Sequence, residues 1–374
     1  MRNRHSSGPF PLFGLLMLLS FSCIEPFTPP GIEKYNDVLV IDGRLSNEIP
    51  AASVTISSSF QYGKNVTRPV GDALVRIVDE EGVAFNLAYT SKGIYASDST
   101  FIPVTGQKYM LRIVDNKGGV YESDYETLIK APVIDSVYYN ELFNTPYHPY
   151  TGEEGVEIHA AAHGDAGNTN YYEWKWHESW MIVPPVNLKG TRPCWQKMSS
   201  TPISISSTES LGENRLSDIN LFFISSTTSP KLSIRYNAII KVYSLTRDQY
   251  TYLRKLKEIN SGSGGFFDPI PGALRGNIHK VDNDNAPVIG LFTASAVNTA
   301  RLIISRRDLK IRYIETGFSD CIVKAIKWDD PYVPPMLGDM YVAGLIGDDL
   351  VLVNIQKCFD CSYVGSPVQP DGWQ

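Results

Sequence analysis

Lys108-Tyr109-Met110-Leu111-Arg112-Ile113-Val114 alternates Tyr109, Leu111 and Ile113 with Lys108, Met110 and Arg112, and Asp115-Asn116-Lys117-Gly118-Gly119 follows at once. A period of two puts one set of side chains on a buried face and the other on an outer face, which is the pattern of a half-buried β-strand. The Asp-, Asn- and Gly-rich pentapeptide supplies the backbone freedom a hairpin needs to reverse. Working outward with the same criteria gives strands at 38–44, 53–57, 73–78, 84–87, 93–97, 109–114 and 120–123, with a second turn at Asp79-Glu80-Glu81-Gly82. Seven short strands in roughly 90 residues suit a β-sandwich. The expected fold is therefore mainly β, beginning with an immunoglobulin-like or transthyretin-like β-sandwich over 38–131.

Ala131-Pro132 closes that unit, and a larger β-rich unit is expected over 132–374. Its strands are read at 133–139, 156–162, 171–180, 203–206, 220–224, 232–243, 288–294, 301–305, 339–345 and 350–355. One helix interrupts them. Thr246-Arg247-Asp248-Gln249 is a capping box, flanked by Leu245 and Tyr250 as a hydrophobic staple, and it predicts a helix over 246–261. Gln249, Leu253 and Leu256 form a narrow stripe, so this helix should lie on a sheet surface. Lys255 and Lys257 are expected in its last turn.

The N-terminus carries a different signal. Arg2 and Arg4 precede an apolar run over 10–21, which closes on Ser22-Cys23. About a dozen apolar residues fall short of the roughly 20 needed to span a bilayer, so 1–22 reads as a secretory signal peptide. Cys23 after a small residue reads as the lipid attachment point, and the Pro-rich stretch to residue 37 as a tether. The formal net charge is −6 over 374 residues, and it becomes more negative once Arg2 and Arg4 are removed. A nucleic-acid partner is not expected from such a balance.

Five cysteines are present: Cys23, Cys194, Cys321, Cys358 and Cys361. Lipidation of Cys23 leaves four, which can pair completely in any of three ways. Cys358-Phe359-Asp360-Cys361 is a C-x-x-C without the βαβ context of a redox motif and without a second zinc-ligand pair, so structural disulfides are expected.

Several blocks, in order, resemble a family of Bacteroidota lipoproteins known as domain of unknown function four thousand two hundred and forty-nine. They include Cys23-Ile24-Glu25-Pro26, Val40-Ile41-Asp42-Gly43-Arg44-Leu45, Cys194-Trp195, Arg235-Tyr236-Asn237 and Lys241-Val242-Tyr243-Ser244-Leu245. Gly264-Gly265-Phe266-Phe267-Asp268-Pro269, Gly276-Asn277-Ile278-His279, Val288-Ile289-Gly290-Leu291-Phe292 and the tail Pro370-Asp371-Gly372-Trp373 continue the series. The tail departs from the family pattern, with one glycine at Gly365 where a pair is usual and Gly372 where an aromatic is usual. The resemblance implies an outer-membrane lipoprotein, commonly encoded beside a TonB-dependent receptor, with no established reaction. The expected role is a non-enzymatic accessory to such a transporter, in ligand capture or complex assembly; the alternative is a cell-surface structural, adhesive or glycan-binding module.

Candidate contact residues follow from aromatic placement. Phe266 and Phe267, beside flexible glycines after the helix, are expected to meet a partner or simply to cover the helix end. Tyr172, Trp174 and Trp176 share one strand face, which is either a platform for a small molecule or glycan or the core of a sandwich, with Glu173, Lys175 and His177 then on the wet face. His159 and His163 would converge on a metal if helical, but on a strand they stand ~13 Å apart. Asp282-Asn283-Asp284-Asn285 begins like a calcium loop and then lacks its glycine and glutamate, with Pro287 and Thr293 in their places. No cofactor or metal is expected, and none of the H-E-x-x-H, G-x-S-x-G, Walker or dinucleotide motifs is present.

Overall fold

The computed structural model describes residues 38–58, 68–143, 154–165, 169–186, 192–261, 274–283, 286–327 and 340–373. Cys23, the segments expected as leader and tether, and Phe266 and Phe267 lie outside them. The described chain is mainly β and carries one α-helix, as the periodicities indicate.

The first strands are β1 (Leu39–Leu45), β2 (Ala52–Ser58), β3 (Arg68–Pro69), β4 (Leu74–Asp79), β5 (Ala84–Ser91), β6 (Ile94–Ala96), β7 (Lys108–Val114), β8 (Val120–Ser123) and β9 (Glu126–Thr127). The larger unit begins with β10 (Val133–Leu142), β11 (Gly155–His163), β12 (Tyr171–Ile182), β13 (Cys194–Ser199), β14 (Ser204–Ser207), β15 (Arg215–Ser225) and β16 (Arg235–Leu245). Helix α1 (Arg247–Ser261) precedes β17 (Ile278–Lys280), β18 (Val288–Ala294) and β19 (Val297–Ser305). The chain closes with β20 (Val323–Lys327), β21 (Tyr341–Ile346) and β22 (Asp349–Val353).

β7 has the anticipated alternation: Tyr109, Leu111 and Ile113 are buried while Lys108 and Arg112 are exposed. Its sheet runs β17-β8-β7-β4-β5-β6-β2-β1-β18 without interruption. Continuity comes from β5, whose first half pairs with β4 and whose second half pairs with β6. The sheet wraps one core in which Ile41 and Val54 meet Leu111, Ile113 and Phe292. Gly43 permits this closure, since a Cβ there would stand 3.1 Å from both Leu111 and Phe292.

The sheet ends are a correction to the sequence reading. Residues 288–294 fall within the span expected for the larger unit, yet β18 lies parallel on β1 through seven residue pairs, from Leu39 opposite Val288 to Leu45 opposite Ala294. β17 likewise pairs with β8. Apolar runs predict a strand but carry no information on its neighbour, and β18 is so uniformly buried that either sheet would accept it.

The larger unit packs a three-stranded sheet, β10-β11-β15, against a five-stranded one, β13-β12-β16-β19 with β14 also on β12. Val156, Ile158 and Ile224 face Trp174, Trp176 and Ile240 across the interior. Helix α1 is capped as its sequence requires: Gln249 N donates to Thr246 Oγ1 at 3.2 Å and Thr246 N donates to Gln249 Oε1 at 3.0 Å. Leu245 and Tyr250 join Leu253, Tyr171 and Leu291 of β18 in one apolar cluster, which seats the helix at the joint between the units. The helix runs on to Ser261, so Lys255 and Lys257 fall before its last turn, which holds no basic residue.

Candidate functional site

The site follows from the two faces of β12. Its even-numbered residues point inward: Trp174 is fully buried, Tyr172 and Trp176 nearly so, and the Trp176 ring stacks on Phe222 with centroids 4.5 Å apart. Tyr172, Trp174 and Trp176 are therefore the sandwich core, and the platform reading of this stripe does not fit their position. Removing such a buried indole typically costs about 3–5 kcal/mol.

The odd-numbered face is only partly wet: His177 is exposed and Lys175 half-buried, as expected for an outer face, but the rest is covered. Glu173, expected in solvent, is buried against Arg44 of β1 at 2.5 Å, with Lys175 Nζ at 3.5 Å. The Arg44 guanidinium also lies 4.2 Å from the centroid of the Tyr243 ring. Burial opposes both charges, but their mutual attraction prevails, so the Glu173 carboxyl is held below its usual range and the Arg44 pKa is raised. Beside them Glu48 accepts from Lys241 at 2.6 Å and from the Tyr243 hydroxyl at 3.2 Å. The first unit thus sits on one half of this outer face.

The other half is covered by the C-terminal tail. The Cys194–Cys361 disulfide fastens the tail to β13, and Trp195 and Ser366 exchange backbone hydrogen bonds at 2.8 and 2.9 Å. Farther on, Arg301 donates to the Gly372 carbonyl at 2.6 Å. Trp373 is buried edge-on against Trp195, with its indole N–H donating to Ser179 Oγ at 2.9 Å. The second disulfide, Cys321–Cys358, secures the segment before the tail, so each cysteine of the C-x-x-C pairs with a distant partner. That choice among the open connectivities depends on which strands the tail crosses.

Between the tail and the sheet lies a cavity of about 260 Å³. Strand register places Ser179 opposite both Lys197 and Asn237, and His177 opposite both Ser199 and Ile239, so two cross-strand rows form one wall. Pro370 and Asp371 of the tail form the other. His177 Nδ1 lies 2.9 Å from Ser199 Oγ. Desolvation, with Lys241 nearby, pushes the His177 pKa down, which favours the neutral imidazole. Asn237 is 2% exposed; its Nδ2 donates to Ser179 Oγ at 3.2 Å, while Oδ1 is buried with no hydrogen-bond partner among the described residues. Leaving such a group unpaired costs about 1–3 kcal/mol. Because Ser179 Oγ is its one partner among the described residues, flipping the amide would still leave one atom unpaired.

Sequence reading placed His177 on the outer face and singled out the tail, but did not join them. It passed over Asn237 and Ser199; the alternation of β16 was the signal that could have found Asn237, whereas Ser199, at the end of β13, carries none. The histidines of β11 each take a separate carboxylate: His159 Nδ1 is 2.6 Å from Asp218 and His163 Nδ1 is 2.7 Å from Asp135. Among the described residues, no three His, Cys, Asp or Glu side chains converge as a metal site. No helix of the described chain is long and apolar enough to cross a membrane.

Comparison with known proteins finds one family. The family model described as "Domain of unknown function (DUF4249)" matches residues 24–301. No curated protein matches. Among solved structures, trypsin-activated alpha-2-macroglobulin from Escherichia coli aligns over 80% of this chain and 17% of its own, with 11% identity and a TM-score of 0.16. This chain thus spans less than a fifth of that protein's length.

Proposed function

We propose that this chain, which belongs to the DUF4249 family, is a lipid-anchored outer-membrane accessory protein that captures a ligand or steadies a complex beside a TonB-dependent transporter. The observation that carries the reading is the pairing of the cysteines. Four of the five are joined as Cys194–Cys361 and Cys321–Cys358, and the fifth is Cys23 at the end of the apolar leader. Disulfides persist in oxidising compartments, and acylation would account for the odd thiol. The tail-covered cavity supports ligand capture, because convergent polar groups in a concave site on a rigid sheet are how small ligands are held.

One observation favours a second reading, a surface structural or adhesive module. The sheet β20-β22-β21 exposes Val323, Tyr341, Val342, Leu345 and Ile346, with exposed Ile322 just ahead of β20.

Cys23→Ala tests the anchor: the variant should move from the outer-membrane to the soluble fraction. If it stays in the membrane as firmly as the parent chain, the anchored reading is lost. Detergent co-purification of the parent chain should bring down an outer-membrane receptor. Self-association without a receptor would favour the surface module.

A further inference from the structure

We propose that the cavity between the tail and the outer face of the five-stranded sheet binds one sugar unit, a neutral polyhydroxylated ring, through Asn237, His177 and Ser199. Four observations carry this. The cavity, at about 260 Å³, is smaller than the ~300–1,000 Å³ of pockets for drug-sized ligands, which suits a single ring.

Its charges cancel. Lys197 and Asp371 are the charged side chains that face it; the Glu178 carboxylate is turned to the inner face, where Lys231 at 2.8 Å and the Tyr236 hydroxyl at 2.6 Å hold it. A site of balanced charge gives an anion or cation no net attraction, whereas it suits a neutral polar ligand.

The hydrogen-bonding groups are of the two-way kind that a hydroxyl needs. An amide, a neutral imidazole and a serine hydroxyl can each both donate and accept, as sugar hydroxyls do. Ile239 and Met198 add apolar surface for the C–H face of the ring.

Finally, Asn237 is unsatisfied. Asn237 lines the cavity and its Oδ1 is buried without a partner among the described residues; rotation about an asparagine χ2 is soft enough to turn the amide toward a ligand. Protein interiors seldom leave such a group unpaired, and a ligand hydroxyl would complete it.

This deepens the ligand-capture reading but is tested apart from it, on the purified mature chain carrying Cys23→Ala, with no membrane or receptor present. Saturation-transfer NMR with free glucose, galactose, mannose, N-acetylglucosamine and fucose should detect at least one, and calorimetry then gives its Kd. His177→Ala and Ser199→Ala, both at solvent-accessible positions, should each weaken binding about fivefold or more at an unchanged melting temperature. Asn237→Ala should weaken it at least tenfold. Glycine, acetate and inorganic phosphate serve as charged probes. The proposal is overturned if no sugar shows transfer, if a charged probe binds in place of the sugars, or if sugar binding survives in both His177→Ala and Ser199→Ala. Loss of receptor association with sugar binding intact would count against the transporter reading alone.

Discussion

Glu126 shows how much one side chain can depend on its surroundings. It lies on β9, where it accepts from Asn277 Nδ2 at 2.6 Å and from Gln249 Nε2 at 3.0 Å, joining the first sheet to helix α1. Burial raises its pKa to about 7; the hydrogen bond from Asn277 resists this, and the charges of Asp124 and Asp248 add to it. A carboxyl with a raised folded pKa stabilises the fold below its unfolded value of about 4.5, and that contribution is lost as pH rises through about 7. The change attributable to this group is on the order of 2–3 kcal/mol. Melting temperature measured from pH 5 to pH 8 should therefore fall less steeply in Glu126→Gln than in the parent chain. Equal slopes would show that Glu126 does not titrate in this window. Of its causes only the charge of Asp124 is legible in the local sequence Asp124-Tyr125-Glu126-Thr127; the burial that dominates comes from the tertiary packing, and Asp248 from more than a hundred positions away.

At the scale of elements, the parallel pair β1–β18 is the least expected feature, and its backbones approach closely. Gly290 faces Ile41 in the register, and a Cβ on it would lie 2.4 Å from the Ile41 carbonyl oxygen. Backbone cannot yield as a flexible side chain does, so Gly290→Ala should destabilise by about 2–3 kcal/mol. Gly212 has open space around it, and Gly212→Ala should change stability by no more than about 0.5 kcal/mol. Urea midpoints compare the two; similar midpoints would mean that the β1–β18 contact is loose. Alternation exposed β1 as a strand, and the capping box located α1, because both are local rules. The pairing of β1 with β18 was not legible, since a strand's neighbour is set by side-chain burial across the whole sheet.

At the scale of the molecule, the two units are interleaved. The chain leaves the first sheet after β9, builds most of the larger unit, returns for β17 and β18, and crosses again at Ser295 and Ala296 into β19. Those crossing residues are held by Ser295 N on the Leu45 carbonyl and Ala296 N on the Ile129 carbonyl, each at 2.9 Å. The core of the first sheet accordingly includes Ile278, Val288 and Phe292. A fragment of residues 38–131 would lack them and leave the edge of β1 open, an invitation to aggregation. Expressed alone, that fragment should give a poorly dispersed NMR spectrum or associate, while 38–374 should give a dispersed one. A well-dispersed monomeric fragment would show that β18 is dispensable.

The sequence by itself determined the mainly β class, nearly every strand of the first unit, the capped helix, and the expectation of disulfides, because periodicity, capping and cysteine number act over a few residues or by simple count. Tertiary structure alone decided that Glu173 is buried against Arg44, that Cys361 meets Cys194 while Cys358 meets Cys321, and that Asn237, His177, Ser199 and Asp371 share one cavity. Each of these depends on which surface covers another. That is settled by burying apolar area and satisfying polar groups over the whole chain, and no local pattern records it.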